Sequence, residues 1–158
     1  MKQLMRVFVA AVVIFPVRAA DNEGFALWKA AELKRRDAAL SQKIGPDHSA
    51  RETLADYTNH RFRLLRRDGD GFPEQHDNIV DVVIVQSGEG TLVLGGEMVG
   101  KKAASAPGEF VGTSLTGGER HLLGAGDVMH IPPKIPHAFL VPTGKHLTYV
   151  LVKFPAPR

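Results

Sequence analysis

The chain has no cysteine among its 158 residues, which excludes a disulfide scaffold, a thiolate nucleophile and a thiolate metal site. A fold without crosslinks must be held by core packing alone, and roughly 100 residues of β-domain bury enough surface for that. The sequence also lacks an apolar run of membrane length: Val7 to Val17 offers about eleven residues where a spanning helix needs roughly 20. It carries no internal repeat and no G-x-S-x-G nucleophile element. Ser87-Gly88-Glu89-Gly90 joins two expected strands as a hairpin turn and opens no helix, so it is not a phosphate loop.

A true excess of positive charge is missing too. Lys2 and Arg6 form a basic start, Val7 to Val17 an apolar run, and Val17-Arg18-Ala19 a tolerable cleavage site. Residues 1–19 are therefore expected to be a secretory signal, cut after Ala19 or Ala20. Its removal takes three of the 20 basic residues and none of the 17 acidic ones, so the remainder balance. The basic pI is then no argument for nucleic acid, which calls for a clustered basic face. Arg61, Arg63, Arg66 and Arg67 form the one dense group, and an exposed strand with its turn accounts for them. The expectation is an exported protein, periplasmic or secreted, with no nucleic-acid partner and no stable membrane insertion after cleavage.

What is present fits one globular domain with short extensions: 44% hydrophobic and 23% charged residues, with 16 Gly and 10 Pro placed as punctuation between short apolar runs. From Asp21 to about Lys43 the spacing of Phe25, Trp28, Ala31, Leu33, Leu40 and Ile44 predicts a helix stopped by Gly45 and Pro46, with Trp28 anchoring it on the outside of the domain. The polar residues 47–56 admit a second short helix. Strands are predicted over Tyr57–Arg66, Asn78–Gln86, Gly90–Leu94, Glu97–Val99, Phe110–Ser114, Glu119–Leu123, Asp127–Ile131, His137–Val141 and Leu147–Phe154. Many short strands at this spacing make an all-β sandwich or barrel. The expected organisation is a signal over 1–19, a helical extension over 20–55 and a β-domain over 56–158.

Two clusters carry the chemistry. Phe72 to Gly96 reads FPEQHDNIVDVVIVQSGEGTLVLGG, and Gly124 to Phe139 reads GAGDVMHIPPKIPHAF. Glu74 and His76 lie two apart and project from one face of an extended segment. Asp81 is offset by an odd number, so a bend at Asp77-Asn78 must reset the phase. Beyond it Asp81, Val83 and Val85 share a face.

These clusters resemble the two motifs of the cupin superfamily. The first motif is His-x-His, three or four residues, Glu, six residues, Gly. Here Glu74-x-His76 stands at the paired histidines, Asp81 at the glutamate and Gly88 at the glycine. The second is Gly, five residues, Pro-x-Gly, two residues, His, three residues, Asn, matched by Gly126, Pro132 and His137, with Lys134 at the second glycine and Val141 at the asparagine. The resemblance covers roughly residues 57–154. It implies a cupin-type β-barrel (double-stranded β-helix, or jelly roll) with an N-terminal helix, and a homodimer. It further implies one divalent metal, Fe, Mn, Ni or Zn, at His76, Asp81 and His137, with Glu74 as fourth ligand or acid/base. The alternative for the same residues is structural: Glu74 and Asp77 as turn residues, Asp81 capping backbone amides and His137 as a hydrogen-bonded core histidine.

His130, in the row Val128, His130, Pro132, and His60, in the row His60, Phe62, Leu64, share faces with apolar residues and are further candidates for ligand or acid/base work. His130 joins Glu74 as a catalytic candidate. Lys153, in the row Tyr149, Leu151, Lys153, is either a pocket cation or an edge-strand gatekeeper, the second being favoured. An enzyme built this way would act on a small polar molecule, by oxygenase, isomerase or lyase chemistry. A non-catalytic binding module and a structural cupin without metal are the other readings.

Overall fold

The sixteen residues IVDVVIVQSGEGTLVL form one continuous strand rather than the expected hairpin, and the rest of the domain is arranged on it. The computed structural model describes residues 23–156, so the expected signal segment, 1–19, lies outside the described residues. In chain order the elements are α1 (Ala30–Leu40), β1 (Ser49–Asp56), β2 (Arg61–Arg67), β3 (Glu74–His76), β4 (Ile79–Leu94), β5 (Glu97–Val99), β6 (Lys102–Ala103), β7 (Glu109–Val111), β8 (Ser114–Thr116), β9 (Glu119–Gly124), β10 (Val128–Ile131), β11 (His137–Leu140) and β12 (Leu147–Pro155).

The first half of β4 lies between β12 and β10 in a sheet that continues through β2 to β1. Its second half lies between β9 and β11 in a sheet that continues through β3 and β7 to β6. Ser87 to Gly90 is thus the place where one strand changes sheets. Gln86 is an extra residue opposite the Thr148/Tyr149 step, and Gly88 takes a left-handed φ of 80°. The predicted turn signal was a bulge, whose twist bends the strand without reversing it.

β-branched residues let β4 serve two layers. Val83 and Val85 point between the sheets and pack with Leu65, Phe139, Leu147, Tyr149 and Leu151, while Ile84 lies on the outer face in a second cluster with Leu40, Leu64 and Val150. That outer cluster is the seat of the helix. It is shorter than the spacing predicts, 11 residues instead of about 23, because Lys29 supplies an extended N-cap and Glu23 to Trp28 do not wind. Trp28 does anchor on the outside, its ring 5.1 Å from that of Phe62. The stretch expected to admit a second helix is strand β1, paired with β2 from Ser49↔Arg67 to Asp56↔Arg61 with a bulge near Leu54. No helix among the described residues is long and apolar enough to cross a membrane.

The helix is also tied to the sheet by one carboxylate. Asp37 accepts hydrogen bonds from Arg66 (2.7 Å), Thr148 (2.7 Å) and Ser87 (3.0 Å). Burial pushes this carboxyl up, but the bonds from Thr148, Arg66 and Ser87 outweigh it and hold the pKa below the usual value. A lowered folded pKa contributes stability above the unfolded pKa and loses it as pH falls through the folded one. Asp37→Ala is therefore expected to cost about 1–3 kcal/mol near neutral pH, and the deficit should shrink in acid. Urea denaturation of both proteins across that range measures it; a deficit independent of pH would show that lost packing, not the charge, is responsible.

Candidate functional site

Strand register brings the acidic and imidazole groups together. Glu74 in β3 is directly opposite His137 in β11, and His76 is opposite Glu109 in β7. The chain then bends at Asp77-Asn78, as the phase argument requires, and Asp81 turns inward at the head of the row it shares with Val83 and Val85. Lys153 in β12 is directly opposite both Asp81 and Arg61, so a cation and a carboxylate meet across the sheet. Lys134, where the resemblance expects glycine, does take the left-handed conformation that glycine favours (φ 67°), and its N–H donates to the carbonyl of His76 at 2.6 Å.

His76, Asp81 and His137 are 4%, 3% and 2% exposed, and Glu74 is half-buried. His76 Nε2 lies 3.4 Å from Asp81 Oδ2 and 3.7 Å from Glu74 Oε2, and its Nδ1 lies 2.5 Å from Glu109 Oε2. His137 Nε2 lies 3.7 Å from Asp81 Oδ2, while its Nδ1 donates to the carbonyl of Ile135 at 3.1 Å. That bond sets the tautomer and leaves the Nε2 lone pair facing the carboxylates. Lys153 Nζ stands 2.7 Å from His76 Nε2 and 3.0 Å and 3.1 Å from the two oxygens of Asp81.

The electrostatics follow from these contacts. Burial pushes Asp81 up, yet His76 and Lys153 hold its pKa below the usual range, so the buried carboxylate is charged and compensated. Burial pushes the His137 pKa down, which favours its neutral form. For His76, burial lowers the pKa and Lys153 opposes protonation, but Asp81 and Glu109 prevail and hold it above the ordinary value. The neutral imidazole accepts from Lys153 at Nε2, while its Nδ1 lies close to Glu109 Oε2 without the alignment of a hydrogen bond. Taking up a proton at Nε2 breaks the lysine contact, so His76 and Lys153 form a coupled pair.

Lys153 is thus a pocket cation, contrary to the favoured gatekeeper reading: β12 is not an edge strand but lies between β2 and β4. His130 is corrected as well. It is exposed on the outer face, because the buried member of β10 is its neighbour Ile131, and the row Val128, His130, Pro132 faces away from the site. His60 stacks on Tyr57 at the rim of the cavity described below, 4.6 Å between ring centres, and lines it, while Phe62 and Leu64 of its row pack under the helix. Glu109 was missed because it lies one residue before the predicted strand Phe110–Ser114, outside both motif clusters. The arginines were misread: Arg67 is buried and donates from Nε to the Tyr149 hydroxyl at 3.0 Å, and Arg61 and Arg63 line the cavity. Their shared parity with buried Leu65 was the signal.

Could a metal sit here? Donor atoms of Glu74, His76 and His137 lie within 4.8 Å of one another, and the His137 tautomer already offers Nε2. The donor set fits a divalent first-row ion. The ammonium of Lys153, touching His76 Nε2 and Asp81, fills the position of a cation between those two residues and must withdraw for an ion to use them.

The group forms one wall of a cavity of about 570 Å³ that opens between the sheets and is lined by Glu74, His76, Glu109, Arg61, Arg63 and Lys153 among others. The size suits a small organic molecule.

A family model described as an AraC-like ligand binding domain matches residues 111–158, a span that holds His137 and Lys153 but not Glu74, His76 or Asp81. No curated protein matches the sequence. Among solved structures, a double-stranded β-helix domain protein of Klebsiella pneumoniae is 17% identical, with a TM-score of 0.52 over 71% of this chain and 81% of that one. A Thermus thermophilus protein is 16% identical, with a TM-score of 0.52 over 72% and 90%. The Streptomyces protein Pac13, solved with uridine, is 13% identical, with a TM-score of 0.51 over 72% and 75%. Pac13 is a nucleoside dehydratase. At these identities the likeness is one of fold.

Proposed function

We propose that this chain, which has the double-stranded β-helix fold of the cupin superfamily, binds a small polar molecule in its barrel cavity and moves a proton on it. The observation that carries the reading is the convergence of Glu74, His76, Glu109 and Lys153 on one cavity wall, backed by buried Asp81 and His137. Titratable groups gathered on the wall of a cavity are the arrangement that sites of proton transfer use. Glu74, half-buried and free to reach a ligand, is the acid/base. His76 passes the proton between the cavity and Glu109. Asp81 and His137 orient His76 from behind, and Lys153 keeps Asp81 ionised.

A divalent ion, Fe, Mn, Ni or Zn, would be held by Glu74, His76 and His137 with Asp81 as fourth ligand, and would supply polarisation of a carbonyl or hydroxyl oxygen. A second reading, a binding module without turnover, is favoured by the match of residues 111–158 to a ligand-binding domain. Export on the strength of residues 1–19, to the periplasm or beyond, and a homodimer belong to the same proposal.

The test is elemental analysis and thermal melting of the wild type, His76→Ala and His137→Ala, with and without chelator, followed by a substrate screen read by NMR. Stoichiometric metal that both variants lose supports the metal-bound form, since a ligand that binds only the folded state raises its melting temperature. Ligand-induced stabilisation without product formation supports the binding module. If His76→Ala binds and turns over every ligand as the wild type does, the proposed site is wrong.

A further inference from the structure

The charges around the cavity nearly all have partners. Arg61 pairs with Asp56, Arg51 with Asp47, Lys153 with Asp81 and Glu109 with His76. The guanidinium of Arg63 has neither an ion pair nor a hydrogen bond among the described residues, although the side chain is half-buried against the cavity. Beside it the Nε of Arg61 is buried without an acceptor. Burial, together with Arg61 and Arg51, weakens the charged form of Arg63 by more than the carboxylates of Asp56 and Glu74 restore, so an anion arriving on the guanidinium would relieve it.

The register sets where such an anion would sit. Arg63 is opposite Leu151, two residues along β2 from Arg61, which is opposite Lys153. Two residues of strand are about 7 Å, so Arg63 stands about that far from the row that holds Lys153 and Asp81. A guanidinium fork holds a planar carboxylate through two parallel hydrogen bonds. A single unpaired cation balances a monoanion better than a phosphate dianion.

We propose that the ligand is a small organic monocarboxylate, its carboxylate forked on Arg63 and supported by Arg61, and its far end presented to Glu74 and His76. This rests on the reading of the cavity as the ligand site.

The experiment is calorimetric titration of the full chain with paired probes: lactate against lactamide, glucuronate against glucose, and inorganic phosphate. Each is repeated with Arg63→Met and Arg63→Lys, whose folding is checked by circular dichroism. At least one acid is expected to bind more tightly than its neutral partner. Arg63→Met should weaken that acid about 10- to 100-fold and leave the neutral partner unchanged. Arg63→Lys, which keeps the charge but not the fork, should fall between. Phosphate binding as tight as the best acid, or acid binding untouched by Arg63→Met, overturns the assignment. If neutral and acidic probes bind alike, the carboxylate assignment falls and the cavity stands as a ligand site. If no probe binds, both fall.

Discussion

Replacing Lys153 by methionine is expected to cost the fold about 3–5 kcal/mol near neutral pH, because it leaves the Asp81 carboxylate buried without its cation. The sign of the pH dependence is fixed. In the wild type the Asp81 pKa is lowered, so its contribution is present above the unfolded pKa and lost in acid. Without Lys153 only the imidazoles of His76 and His137 oppose burial, so the folded pKa rises from its lowered value, and the penalty present at neutral pH shrinks as the carboxyl is protonated. The two proteins should therefore differ most near neutrality and converge below the ordinary carboxylate range. Adding Asp81→Asn removes the charge, and the double variant should recover most of the loss. Divalent ions should stabilise Lys153→Met more than the wild type, since the ammonium no longer occupies the position between His76 and Asp81. Chemical denaturation at several pH values, with and without Zn or Mn, measures all three. Equal metal stabilisation of both proteins would show that Lys153 does not compete for the site.

Gly88→Ala should be as damaging for a different reason. A Cβ there would lie 1.9 Å from the carbonyl oxygen of His146 and 2.7 Å from its carbon, both backbone atoms, and φ is +80°. The left-handed conformation and the forced shift of β12 together cost about 3 kcal/mol or more, out of a total stability of about 5–15 kcal/mol. Gly95→Ala is the control. Its φ is +78° but nothing lies within 4 Å of the added carbon. That variant should show the conformational cost alone, about 1–2 kcal/mol. Melting temperatures of the pair separate the terms, and equal losses would mean that the close approach of His146 costs nothing.

Both residues show what a linear reading reveals and what it hides. The spacing of Glu74, His76, Asp81 and Gly88, and of Gly126, Pro132 and His137, was legible because side-chain parity along a strand is local, and the bend at Asp77-Asn78 could be inferred from one odd interval. Whether a strand is central or at an edge is not local. Lys153 could not be assigned until β12 was placed between β2 and β4. The same holds for β2. Its alternation of Phe62 and Leu64 with Arg61 and Arg63 suggests one covered and one wet face, which is correct, but the wet face is the inside of the barrel and the covered one lies under the helix. His130 failed on parity alone, since Ile131 is the inward residue of β10. The segment Ser49–Asp56 is polar enough to pass for loop or helix, and pairing with β2 overrides its weak preference.

The long strand β4 also dictates an order of events. Asp81 and its cation are 72 positions apart, and the strands that pair with β4, β9 to β12, all follow it in the chain. Ribosomes add about 5–20 residues per second, so Asp81 and the Val-Ile run behind it wait on the order of ten seconds for β12. During that interval both edges of a strongly apolar strand are unpaired, the state in which such chains associate with one another. The charged residue at the head of the row then interrupts an otherwise sticky segment. A carboxylate so placed is the kind of charge that breaks up an apolar run before its partners arrive.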